Sequence, residues 1–182
     1  LYFHFMRVDP GNPNWPARDR FILSKGHACP VWYAALAERG FFPTDELLTL
    51  RQINGRLQGP PDMEKTPGVD ISTGSLGQGL SAGVGMALGL KLDRSDARVY
   101  VILGDGELNE GQVWEAALAA AKYRLDNLLA IVDYNNLQLD GRCSEVMPIE
   151  PLADKWRAFN WAVFEMDGHS MRQIVETIGA TF

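Results

Sequence analysis

Two short segments bring together residue types that handle charge. Gly104-Asp105-Gly106 follows an unbroken apolar run, Val99-Tyr100-Val101-Ile102-Leu103, and Asp133-Tyr134-Asn135-Asn136 follows a second, Leu128 to Val132. A continuously apolar run of this length suits a strand covered on both faces. Ligands in parallel α/β sheets bind beyond the carboxyl ends of such strands. Positions 107–134, 28 residues, separate Gly106 from Asn135, which is room for one crossover helix. A single βαβ unit would then set Asp105 and Asn135 side by side. A carboxylate, an amide oxygen and a backbone carbonyl are the oxygen donors that Mg²⁺ or Ca²⁺ accepts, with phosphate oxygens and water completing the shell. A glycine beside the carboxylate lets backbone N–H groups approach a phosphate. The pair therefore predicts a metal–diphosphate site at the edge of a sheet. Either segment alone is an ordinary turn; the weight comes from finding both at strand ends, one crossover apart.

The elements that must position this pair can be read from pattern. Arg98 to Leu103 and Leu128 to Val132 read as buried strands, with an Ala-rich helix over Gln112 to Arg124 between them. Trp161 to Met166 reads as a third strand, followed by a helix from about Ser170 to Ile178. Val31 to Arg39 has helical spacing and ends at Gly40 as a C-cap. Thr44 can cap a second helix, with Asp45 and Glu46 suited to its dipole. Glycines at 74, 77, 79, 83, 85 and 89 punctuate a segment whose apolar content from Gln78 to Leu90 suits a buried helix. Glycine inside a helix costs about 1 kcal/mol relative to alanine, so close approach to another element or a ligand is expected there. Gly74-x-x-Gly77-x-Gly79 fits a dinucleotide fingerprint poorly, lacking a preceding buried strand and a ribose-binding acid. The expected fold class is α/β, a three-layer sandwich with a mostly parallel central sheet, forming one domain over 1–182.

Composition removes several function classes. Seventeen basic and 23 acidic residues leave a net charge of −6, against a nucleic-acid or polybasic membrane surface. No apolar run is long enough to span a membrane. Cys29 and Cys143 are too few for a disulfide scaffold, and a cytoplasmic setting is expected. The ends read as those of a fragment or a subunit: Leu1 to Met6 resembles the last turns of an amphipathic helix cut in the middle, with a tag remnant as the alternative, and Ile178 to Phe182 stops just after an expected helix.

Around the pair lie segments that resemble the transketolase family. Gly104-Asp105-Gly106 with Asn135 looks like a thiamine diphosphate fingerprint. Asp19-Arg20-Phe21-Ile22-Leu23-Ser24-Lys25-Gly26-His27-Ala28 resembles that family's first active-site segment, and Thr73-Gly74-Ser75-Leu76-Gly77-Gln78-Gly79 its cofactor-gripping segment. Gly104 to Gly111 and Asn135 to Gly141 complete four motifs in family order. The Lys25-Gly26-His27 variant looks most like the separate N-terminal subunit of a split transketolase.

The resemblance implies that Asp105 and Asn135 hold Mg²⁺ (or Ca²⁺) with the Leu137 carbonyl as third protein ligand. It places Gly104 and Gly106 at the diphosphate, the latter through its N–H. It puts the backbones of Gly74 and Leu76 at the aminopyrimidine. His27 would lie near the diphosphate and substrate channel, and Glu110 in a carboxylate network at a dimer interface. The implied activity is transfer of a two-carbon ketol unit from a ketose (phosphate) to an aldose (phosphate). The implied partners are a C-terminal subunit carrying the pyrimidine domain and a second copy of the protein, with no nucleic acid and no membrane. The activating glutamate of the family belongs to the pyrimidine domain, and no residue here is assigned to it. The alternatives are another thiamine diphosphate enzyme, such as a deoxyxylulose-phosphate synthase or a 2-oxoacid dehydrogenase component, and a non-catalytic assembly subunit. One departure stands out: Gly59-Pro60-Pro61-Asp62 replaces a Gly-His-Pro segment whose histidine orients the donor sugar. Outside the motifs, Glu107 and Glu115 read as solvated or dipole-complementing, His169 as the neighbour of a helix cap, the cysteines as inert, and the five tryptophans as core and interface.

Overall fold

The computed structural model describes residues 1–181. Its centre is a parallel three-stranded sheet in the order β1-β2-β3, formed by β1 (Arg20–Leu23), β2 (Val99–Gly104) and β3 (Leu128–Asp133). The middle strand pairs Arg20 with Val99 on one side and Gly104 with Asp133 on the other. Side chains alternate across the sheet, and each face acquires its own core. Ile22, Val99, Val101 and Leu103 pack with α2 (Gln78–Leu92) and α3 (Gly111–Tyr123). Phe21, Leu23 and Tyr100 pack with α1 (Cys29–Arg39) and the N-terminal Tyr2 and Met6. Helices on both faces make the expected three-layer α/β architecture.

Helices α1, α2 and α3 form where pattern places them, and their ends have local causes. Gly40 closes α1 in the left-handed conformation at φ 96°, its N–H donating to the carbonyls of Ala37 and Leu36, which a residue with a Cβ adopts only at a cost. Gly83 lets α2 lie directly on the sheet: a Cβ there would sit 2.6 Å from Val101 Cγ2. Beyond β3 the chain turns through a short hairpin, β4 (Leu137–Gln138) and β5 (Gly141–Arg142). Three further helices follow, α4 (Cys143–Val146), α5 (Leu152–Ala158) and α6 (Met171–Gly179). Ser170 caps α6 by accepting from the Gln173 N–H.

Two sequence expectations are corrected. Trp161 to Met166 is not a strand; the third strand of the sheet is the N-terminal Arg20–Leu23. The Trp161 ring packs 5.0 Å from Trp156, and its Nε1 donates to the Ala117 carbonyl at 3.0 Å. The segment is thus laid over α3 and α5, with Phe164 left 54% exposed, instead of entering the ladder beside β3. Thr44–Thr49 forms a 3-10 turn with no buried residue, and Pro43 caps it without a side-chain bond. Only Leu47 of this segment packs, half-buried, against the core, with Leu50 just after it, so little burial favours a longer helix. Residues 1–6 form a turn in which the N–H groups of His4, Phe5 and Met6 donate to the Leu1 carbonyl.

Candidate cofactor site

The carboxyl ends of β2 and β3 lie side by side, as the 28-residue spacing requires. Asp105 leaves β2 and is 1% exposed. One carboxylate oxygen accepts the Gly106 N–H at 2.8 Å and the other accepts the Asn136 N–H from the β3 side. The Asp105 N–H donates in turn to the Asp133 carbonyl. One residue following each strand, Gly106 and Asn136, thus meets the other at a single buried carboxylate. Asn135 is ordered by its own turn: its Oδ1 accepts the Leu137 N–H at 2.8 Å and its Nδ2 faces Asp133 Oδ2 at 3.4 Å. Asp133 also pairs with the Lys25 ammonium, which ties the end of β1 to the end of β3.

Three further loops close on this edge. Gly26 packs so tightly that a Cβ would sit 2.8 Å from Thr73 Oγ1 and 3.0 Å from the Gly74 N. Gly74 lies against Pro60, whose Cβ would be 3.2 Å from an added methyl. Gly77, at φ 85°, leaves room for the Glu110 stem, 2.7 Å from where its Cβ would be. The sequence-derived residues Gly74, Gly104, Asp105, Gly106, Asn135, Leu137 and Glu110 therefore lie at the strand ends or on the segments that meet this edge of the sheet. His27 is exposed in the 3-10 turn just after β1, and Leu76 is 36% exposed. Beside the Gly-rich turn is a groove of about 250 Å³ lined by Ile71, Ser72, Thr73, Gly74, Ser75 and Gln78 among others.

Glu107 departs from its sequence expectation. It is 3% exposed rather than solvated. Its Oε1 accepts the Ser24 hydroxyl and the Gly77 N–H, and its Oε2 accepts the Gly104 N–H. Ser24 Oγ in turn accepts the Gly79 N–H at 3.1 Å. The Gly77 and Gly79 amides at the head of α2 are thereby satisfied within the protein, so these two are not open to an anion in the manner of a helix N-terminal phosphate cradle. Gly104 likewise offers no free N–H. The partners lie 83, 30 and 3 residues away, so only the Gly-Asp-Gly-Glu adjacency was available as a signal. Glu115 is exposed as expected, and His169 neighbours the Ser170 cap.

The donor set suits a hard cation. Each Asp105 oxygen accepts one N–H and retains a lone pair, and Asn135 Oδ1 and the Leu137 carbonyl are further oxygens on the adjoining turn. No cluster of three His, Cys, Asp or Glu occurs among the described residues, so a metal here must complete its shell from amide, carbonyl, ligand and water oxygens. Thr73 Oγ1 is buried at this edge without a hydrogen-bond partner in the chain, the condition of a group open to a ligand. Cys143 is buried next to Gly106. Burial first, then the charge and hydrogen bonding of Asp105, push its thiol above the ordinary range, so it stays a neutral neighbour of the carboxylate.

Fold and site together define a parallel α/β domain with a buried carboxylate and neighbouring oxygen donors at its strand tips. The family model described as "Transketolase, thiamine diphosphate binding domain" matches residues 1–181, and the chain belongs to that family. It is 53% identical over 178 residues to the 6-deoxy-6-sulfo-D-fructose transketolase subunit SqwG of a Clostridium species, covering 98% of this chain and 65% of that protein. It is 47% identical to one subunit of the apulose-4-phosphate transketolase of Phocaeicola vulgatus, over 97% of this chain and 63% of that one. Among solved structures, transketolase from Leishmania mexicana superposes with a TM-score of 0.93 at 32% identity, over 100% of this chain and 29% of that one. The chain thus spans just under two thirds of the length of the curated subunits it matches. No helix of the described residues is long and apolar enough to cross a membrane.

Proposed function

We propose that this chain forms the diphosphate-binding half of a transketolase site and acts with a pyrimidine-domain chain to transfer a two-carbon ketol unit between sugars. The observation that carries this reading is the buried Asp105 carboxylate at paired strand tips, flanked by Gly106 and the Asn135–Leu137 turn. In it, Asp105, the Asn135 side chain and the Leu137 carbonyl hold Mg²⁺ (or Ca²⁺). The Gly106 N–H already donates to Asp105 Oδ1, so it reaches the diphosphate as a shared donor. Gly74 and Leu76 present backbone groups to the aminopyrimidine. His27 stands at the mouth of the site, and Glu110, exposed beside the Gly77 turn, faces the interface with a second copy. When bound, thiamine diphosphate supplies carbanion chemistry that no side chain here can provide; the protein's part is to neutralise, orient and enclose it.

The substrate class proposed is a ketose and an aldose bearing a terminal anion. The names of two relatives support it, since 6-deoxy-6-sulfo-D-fructose and apulose-4-phosphate each carry one. A cytoplasmic location fits two unpaired cysteines. The purified chain is expected to show no ketol transfer alone and to gain it on addition of a pyrimidine-domain subunit, in a coupled assay of aldose consumption. Turnover by the chain by itself would refute the half-site reading.

Pro60 offers a test of specificity. It abuts Gly74 at the edge of the groove, and its side chain neither donates nor accepts a hydrogen bond. Pro60→His is expected to change the ratio of kcat/KM between two donor ketoses by about tenfold, the worth of one hydrogen bond to a substrate hydroxyl. An unaltered ratio across several ketoses would remove this loop from the donor site.

A further inference from the structure

We infer that Glu107 is a positioning residue that locks the Gly-rich turn of residues 73–79 to the strand tips and thereby sets the shape of the cofactor cleft. Its carboxylate is the common acceptor for three elements distant in the chain: Ser24 at the end of β1, Gly77 before α2, and Gly104 at the end of β2. Ser24 extends the lock to Gly79. A Cβ at Gly79 would lie 2.4 Å from Ser24 Oγ, so turn and strand are packed in contact as well as bonded. The same turn carries Gly74, and Gly104 immediately precedes Asp105. One side chain therefore fixes the distance between the groove along residues 71–79 and the buried carboxylate at 105. Its donors are separate from those of Asp105, whose oxygens accept from Gly106 and Asn136. Its action on a ligand is indirect, through the turn it holds.

Glutamine at 107 keeps the shape but replaces one acceptor oxygen by an NH₂ group. Facing the Gly104 N–H, that group sets donor against donor, and turning the amide over moves the same conflict to the Gly77 N–H. A buried donor left without an acceptor weakens the lock.

The inference rests on the proposed cofactor site, so its test has two arms, both on the complex of the full-length protein with its pyrimidine-domain subunit. In the first, amide hydrogen exchange without cofactor is expected to quicken in Glu107→Gln at least tenfold over residues 73–80, with strand β3 unchanged. In the second, calorimetry with Mg²⁺ and thiamine diphosphate is expected to show about tenfold weaker binding, with kcat at saturating cofactor changed less than threefold. Unchanged exchange over 73–80 overturns the inference whatever the affinity does. Faster exchange with unchanged affinity overturns the claim that the lock shapes the cleft. If Glu107→Gln yields no folded complex, Ser24→Ala, which removes one leg of the lock, is read by the same two criteria. Wild-type complex that fails to bind thiamine diphosphate would refute the proposed site and leave the exchange arm standing.

Discussion

Asp105→Ala is expected to abolish metal-dependent thiamine diphosphate binding, weakening it at least about 100-fold. Removing a residue that merely orients a metal ligand costs roughly 10–100-fold, and Asp105 is proposed to be a ligand itself. The reason is charge. A diphosphate placed against a largely backbone-lined edge needs the cation to neutralise it, and the cation needs at least one anionic protein oxygen to stay. Asp105 is the carboxylate that is buried at this edge with its oxygens directed by the Gly106 and Asn136 amides. The same substitution leaves those two N–H groups without their acceptor, so some loss of thermal stability accompanies the loss of binding. Asp105→Asn keeps one oxygen acceptor and most of the volume; it should melt closer to wild type while still binding poorly. Isothermal titration of the Mg²⁺-loaded protein with thiamine diphosphate measures the effect. An affinity for Asp105→Ala within a factor of three of wild type would remove the assignment.

The largest effect on stability is expected from Asp70→Ala, at about 3–5 kcal/mol, the range measured when one partner of a buried ion pair is deleted. The Asp70 side chain is 5% exposed and accepts from Arg18 at 2.7 Å, with Arg20 Nε at 3.6 Å. Its second oxygen accepts the Phe21 N–H at 2.9 Å. Alanine leaves the Arg18 guanidinium, 11% exposed, beside Arg20 without its counter-charge. Domains of this size carry only about 5–15 kcal/mol in total, so the variant should lose a large part of its stability. Asp70 also staples the segment leading into residues 71–79 to the first strand, so cofactor affinity should fall with it. Urea denaturation followed by tryptophan fluorescence gives the free energy. A loss under about 1 kcal/mol would mean that Arg18 and Arg20 find other acceptors, Asp19 being the nearest in sequence, and that the pair is dispensable.

Much of the fold was legible because its signals are local. Val99 to Leu103 and Leu128 to Val132 are unbroken apolar runs, and they pair with each other as neighbouring strands of the ladder. Gly40 closes α1 where a glycine was needed, and the glycines of α2 mark close packing at Gly83 against Val101. Trp161 to Met166 has the same apolar character and is no strand. Its tryptophan finds a better partner in the Trp156 ring and the Ala117 carbonyl than in the edge of β3. An apolar run states that a segment is to be covered and says nothing about which element covers it.

The sequence by itself determined which donors meet. An acid and an amide at the ends of two apolar runs, one helix apart, arrive together at the tips of adjacent parallel strands, and oxygens of this kind are what a hard cation accepts. Only the tertiary structure decided how the surrounding loops are held. The buried state of Glu107, its bonds to Ser24, Gly77 and Gly104, and the Arg18–Asp70 pair all join residues that no periodicity relates. Burial of a charged side chain depends on donors brought from elsewhere in the chain, and a carboxylate following Gly-Asp-Gly looks the same on paper whether water or three amide and hydroxyl donors await it.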